Sequence, residues 1–117
     1  MNFAEEMREL ALPRNTIEKR IKETFKMSMP DIVELKNSIR AEALAGKMYY
    51  ILVYNANNYF FGDAKTEMLS VDKEMLAKFF SEVLEEYLSE TGLLVACVDV
   101  LPAEYNVRKI RTEISWQ

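Results

Sequence analysis

Between Lys73 and Leu88 the apolar residues fall in adjacent pairs: Met75/Leu76, Phe79/Phe80, Val83/Leu84 and Tyr87/Leu88. A four-residue step on a helix turning about 100° per residue advances the apolar face by about 40°. From Met75 to Leu88 that face spans roughly 220°, about twice the stripe a helix needs to sit on one surface. One sheet cannot cover such an arc. The spacing predicts that the edge around Met75 and Phe79 lies on a sheet and that Leu84 and Leu88 meet a second surface. That surface is either the chain's own N-terminal helices or another subunit. Asp72 is placed as N-cap of this helix, with Val71 and Leu76 at staple spacing.

The flanking segments give the rest of the architecture. Phe3, Met7, Leu10 and Ala11 form a helical stripe that Pro13 is expected to end, because the residue before proline is pushed out of the α region. Asn15 and Glu18 have capping-box spacing and open a second, basic helix through Ile17, Ile21, Thr24 and Phe25 to about Met27. A third helix is expected from about Pro30, capped by Ser28 or Met29, with Ile32, Leu35, Ile39 and Ala43 on one face and Gly46 just past its end. Met48–Tyr54, rich in aromatic and β-branched residues, reads as a strand; residues 55–58 read as a turn and Tyr59–Phe61 as a second strand. Thr91 and Gly92 close the paired helix. Leu93–Val98, apolar on both sides, reads as a central strand buried on both faces. Residues 101–106 read as a loop. From Arg108 to Trp116 the chain alternates, with Ile110, Thr112, Ile114 and Trp116 facing one way and Lys109, Arg111, Glu113 and Ser115 the other. The expected fold is α+β in one domain over residues 1–117. A helical segment, 1–27, precedes two α-β-β units, 28–117, that build a four-stranded antiparallel or mixed sheet with helices mainly on one face.

Composition narrows the function. The 117 residues hold no histidine and one cysteine, Cys97. The commonest general base, the commonest transition-metal ligand, a disulfide within the chain and a cysteine-based zinc site are thereby excluded. Three glycines do not make a phosphate-cradling loop. The longest apolar run, Met48–Tyr54, is far too short to cross a membrane. The acidic start, with Glu5 and Glu6, is unlike an export signal, so the expected location is the cytoplasm. Net charge is −4, the wrong sign for a typical nucleic-acid binder. It is unevenly spread: residues 13–26 carry a local +3 and residues 72–90 a local −4.

No catalytic, cofactor or metal constellation emerges, and the chain reads as a non-enzyme. Cys97 lies in an apolar strand, where a thiol is inert. Asp99 reads as that strand's exposed end. Lys19, Arg20, Arg108, Lys109 and Arg111 are the candidate basic contacts, to nucleic-acid phosphate, the last three placed on an edge strand. Leu84, Leu88, Tyr50, Tyr54, Tyr59 and Trp116 are candidate interface residues, since Tyr and Trp supply large contact area with little rotamer entropy. The surplus of apolar surface points to a homo-oligomer, a dimer being favoured.

The capped helix, Thr91-Gly92, the apolar strand and the terminal Lys109-Ile110-Arg111-Thr112-Glu113-Ile114-Ser115-Trp116 together resemble small uncharacterised proteins of phages, prophages and their bacterial hosts that finish in a similar "ISW" strand. The resemblance covers roughly residues 72–117. It implies a non-enzymatic accessory protein of a mobile element or its host, of a kind that includes inhibitors of host defence such as anti-CRISPR proteins. The expected function is protein binding, in its narrower form inhibition of a host nuclease or defence complex. The alternatives are a nucleic-acid-associated regulator using the basic helix 15–26 and a small-ligand-binding oligomer.

Overall fold

The computed structural model describes residues 2–101 and 108–116, with the side chains of residues 5–15 outside the description. The fold is α+β. The elements run α1 (Phe3–Met27), α2 (Ile32–Leu44), β1 (Tyr49–Asn55), a short 3₁₀ turn (Ala56–Asn58), α3 (Gly62–Ser70), α4 (Lys73–Tyr87), β2 (Leu94–Val100) and β3 (Lys109–Ser115). Among the described residues the sheet has three strands where four were expected, in the order β1-β3-β2 with both pairings antiparallel. β1 and β2 therefore run parallel to each other on either side of the last strand.

The N-terminal helices differ from expectation. α1 is a single helix that continues through Pro13, so Asn15 lies inside it and does not open a second helix. A proline inside a helix removes one hydrogen bond and disfavours the preceding turn, yet it remains a bias that a long helix can override. Ser28 ends α1 by bonding back to the Thr24 carbonyl. α2 starts after Pro30: Asp31 is its N-cap and accepts from the Val33 amide at 2.8 Å, where Ser28 or Met29 was expected. At its end, the Gly46 amide bonds the Ala43 carbonyl and the Lys47 amide bonds Glu42, a Schellman closure that needs the left-handed φ of 86° at Gly46.

Tyr59–Phe61 is not a strand. Only Phe60 is buried, as a single anchor, while Phe61 is exposed and extended just before α3, a helix the periodicity did not announce. Asp72 caps α4 as expected, accepting from the Glu74 amide.

One aromatic cluster ties these pieces together. Phe25 of α1, fully buried, meets the rings of Tyr54 in β1 at 5.5 Å, Phe60 at 5.5 Å and Phe80 in α4 at 5.2 Å, all edge-on. Edge-to-face packing at these separations suits the ring quadrupoles. Ile110 and Ile114 of β3 close the core from the sheet side.

Apart from Met75, 36% exposed, the wide apolar arc of α4 is covered within the chain, and its first edge does not lie on the sheet as expected. The Met75–Phe79 edge faces α1: Met75 and Phe79 line a cleft with Ile17 and Glu18, and Lys22 Nζ lies 5.4 Å from the Phe79 ring. Leu84 and Leu88, about 140° and 180° round the helix from Phe79, are 0% and 1% exposed, and α4 packs on β2 as well as on α1. They are covered by the chain itself and offer nothing to a second subunit.

Candidate functional site: the open face of the sheet

The helices cover one face of the sheet. Along β3 the covered row is Ile110, Thr112 and Ile114, all buried, and the opposite row is Lys109, Arg111, Glu113 and Ser115. That alternation matches the sequence reading. β3 is the central strand, however, and the strand expected at the centre, β2, lies at an edge.

The register identifies what shares the open side. Tyr49, Ser115 and Leu94 form one row across β1, β3 and β2; Ile51, Glu113 and Cys97 form the next; Val53, Arg111 and Asp99 the third. Residues directly opposite in antiparallel strands point to the same side. A bulge between Val95 and Cys97 inserts Ala96. It brings Leu94 and Cys97, three residues apart, onto one face where simple alternation would separate them. Ile51, Cys97, Asp99, Arg111 and Glu113 line a shallow depression of about 180 Å³. Tyr49, Val53 and Leu94 are 44%, 57% and 56% exposed. The face is thus a charged central column between an apolar flank on β1 and a mixed one on β2, where Asp99 follows Leu94 and Cys97. Cys97 is exposed, contrary to the expectation of a buried thiol: a run of apolar residues does not reveal whether both sides of a strand are covered.

The other residues singled out from sequence lie elsewhere. Tyr50 and Trp116 are partly buried against the core. Tyr54 is buried, hydrogen-bonded to Ser28, and its phenol is pushed up to about 12 by burial. Tyr59 is half-exposed and stacks on Tyr54 at 5.1 Å. Of the basic candidates, Lys109 and Arg111 lie on the open face. Arg108 is buried and donates to the Val71 carbonyl at 2.7 Å, so it is not a surface contact.

Three basic residues of α1 are met within the chain. Lys22 pairs with Glu82 and with Glu18 at 3.1 Å, Arg20 with Glu67 at 3.4 Å, and Lys26 Nζ lies 4.0 Å from Glu86. The hydrogen bond from Lys22 holds the Glu82 carboxyl below its ordinary value, and Glu82 in turn raises Lys22. Lys19 is exposed on the same helix.

Among the described residues no three of Cys, Asp and Glu gather where they could hold a metal ion, and no helix is long and apolar enough to cross a membrane. No family model, no curated protein and no solved structure matches the chain.

Proposed function

We propose that this chain is a non-enzymatic protein-binding module of the cytoplasm and that the open face of β1-β3-β2 is its contact surface. The observation that carries the reading is that Tyr49, Val53 and Leu94 are exposed together with Cys97 on one side of the sheet, around Arg111, Glu113 and Asp99. Apolar side chains beside a charged spine supply desolvation energy and orientation at once. The narrower form, an inhibitor of a host nuclease or defence complex, draws on the resemblance of residues 72–117. The basic-helix alternative is the weaker one, because Arg20, Lys22 and Lys26 are engaged by Glu67, Glu82 and Glu86. The small-ligand alternative also loses ground: the depressions on the sheet face, between Lys26 and Tyr87 and beside Phe79 hold about 180, 220 and 230 Å³, below the roughly 300–1,000 Å³ of ordinary ligand sites, and the one of about 350 Å³ along α1 is lined by charged side chains alone where such sites are mostly apolar.

Placing a photo-activated crosslinking residue at Val53 tests the reading, with Lys36 on the exposed side of α2 as control. The expected result in the native host is a discrete protein adduct from Val53, absent from Lys36 and lost with Arg111→Glu. No adduct from Val53, or equal adducts from both positions, would overturn it.

A further inference from the structure

The open face carries four charges, Lys109, Arg111, Glu113 and Asp99, and is neutral as a whole. None of the four is ion-paired among the described residues. A neutral face does not select a partner of one sign. Its charges are ordered, though: positive Arg111 and negative Glu113 follow each other down the centre of the sheet, one row apart.

Resting on the reading that this face binds protein, we infer that its occupant is a second copy of this chain, stacked face to face about a two-fold axis running across the strands between the Arg111 and Glu113 rows. That axis lays β3 antiparallel over the partner's β3. Arg111 then meets the partner's Glu113, and Glu113 meets the partner's Arg111. The same operation sets Ile51 over the partner's Val53, apolar on apolar, and leaves Asp99 beside Arg111 in its own row. An axis along the strands would instead put Arg111 over the partner's Arg111, so the charges select one orientation. Stacked sheets lie about 10 Å apart, a gap that facing Arg and Glu side chains can bridge.

The size of the face sets the strength. Three strands of seven residues give a patch of roughly 24 by 14 Å. Two such patches bury far less than the roughly 1,200 Å² of stable complexes, so the dimer is weak and forms only at high chain concentration.

Sedimentation equilibrium up to about 1 mM chain tests this. The wild type should pass from monomer to dimer with rising concentration. Alkylation of Cys97, the chain's one thiol, should slow over the same range. Arg111→Glu and Glu113→Arg should each weaken self-association on the order of tenfold. Mixed in equal amounts, these two variants should associate with one another more tightly than either does with itself. All substitutions are at positions facing solvent, and circular dichroism checks that the fold is kept. A wild type that stays monomeric throughout, or one whose dimer is indifferent to both variants and shows no preference in the mixture, overturns the second copy as occupant. The Val53 crosslink, read both in the native host and in the purified chain at about 1 mM, separates the two levels of the reading. An adduct of twice the 13.6 kDa chain mass supports the dimer. An adduct with a different protein alone keeps the protein-binding face and overturns the dimer, and no adduct overturns both.

Discussion

The Arg108 guanidinium donates from Nη1 to the Val71 carbonyl at 2.7 Å, just past the last residue of α3. The same nitrogen lies 3.5 Å from the Met68 carbonyl. A cation here answers the Val71 carbonyl and the negative end of the helix dipole together. It also joins the entry of the central strand to a helix that leans on little else, since Met68 is the fully buried side chain of α3. Hydrogen bonds to a charged group contribute about 1.5–3 kcal/mol, but Arg108 is buried and its Nε has no partner among the described residues. Arg108→Met is therefore expected to destabilise by about 1–2 kcal/mol, read from urea unfolding. Amide exchange should rise first in α3. An unchanged midpoint would mean that the charge contributes nothing there.

What could be read from sequence was local. The Asp72 cap and the pairing of apolar residues in α4 lie within one helix, and the alternation from Lys109 to Ser115 lies within one strand. α3 escaped because Ala64, Met68 and Leu69 make too thin a stripe to register as a helix. Pro13 misled because a local bias competes with the continuity of a long helix. The open face was missed for a different reason. The Tyr49–Asn55 strand shows two rows, Tyr49-Ile51-Val53 and Tyr50-Leu52-Tyr54, both apolar. Which row meets water depends on where α1 and α4 pack, and no pattern within the strand encodes that. The bulge at Ala96 hid the rest, because strict alternation sends Leu94 and Cys97 to opposite faces.

Buried Tyr54 makes a prediction at alkaline pH. Its phenol is 5% exposed and titrates near 12, against an ordinary value of 10.0, chiefly because burial disfavours the phenolate. The folded state therefore keeps this proton over a range in which the unfolded chain loses it. Stability is full below pH 10 and falls as pH rises toward 12, by roughly 2–3 kcal/mol in all. In a spectrophotometric titration of the six tyrosines, one should ionise last. Tyr54→Phe should remove that late step and flatten the alkaline loss of stability. If all six ionise together near pH 10 in the folded protein, the burial argument fails.

Lys22 and Glu82 tie α1 to α4 at both ends of the pH scale. The folded-state value of Glu82 is lowered, so its contribution is present above the ordinary carboxyl range and is lost as pH falls through the folded value. That of Lys22 is raised, so its contribution is present below its ordinary value and is lost as pH rises through the folded one. Both side chains are solvated, which screens the pair. A double-mutant cycle with Lys22→Met and Glu82→Gln should give a coupling of about 0.2–1 kcal/mol at neutral pH, smaller in high salt. A coupling indifferent to salt would point to packing of the Lys22 stem on Phe79 instead.

Thr112 sits on the covered row of β3 at 0% exposure, opposite Leu52 and Val98 in the neighbouring strands. Its Oγ1 has no hydrogen-bond partner among the described residues. A buried hydroxyl without a partner costs about 1–3 kcal/mol, and valine has nearly the same shape without it. Thr112→Val should raise the unfolding midpoint, with a gain of about 1 kcal/mol and no change in denaturant slope. A lower midpoint would show that the hydroxyl is bonded and that its loss is felt.

Cys97 faces solvent on an edge strand, which changes what its substitution should do. A serine placed in a closed apolar core loses the free energy of an unmet hydroxyl. On the open face that hydroxyl is hydrated, so Cys97→Ser should shift stability by less than about 0.5 kcal/mol. Native alkylation at low protein concentration should go to one equivalent without unfolding, followed by mass spectrometry alongside circular dichroism. A thiol that reacts only in denaturant would place Cys97 inside the protein and would require the second face of the sheet to be covered within the chain.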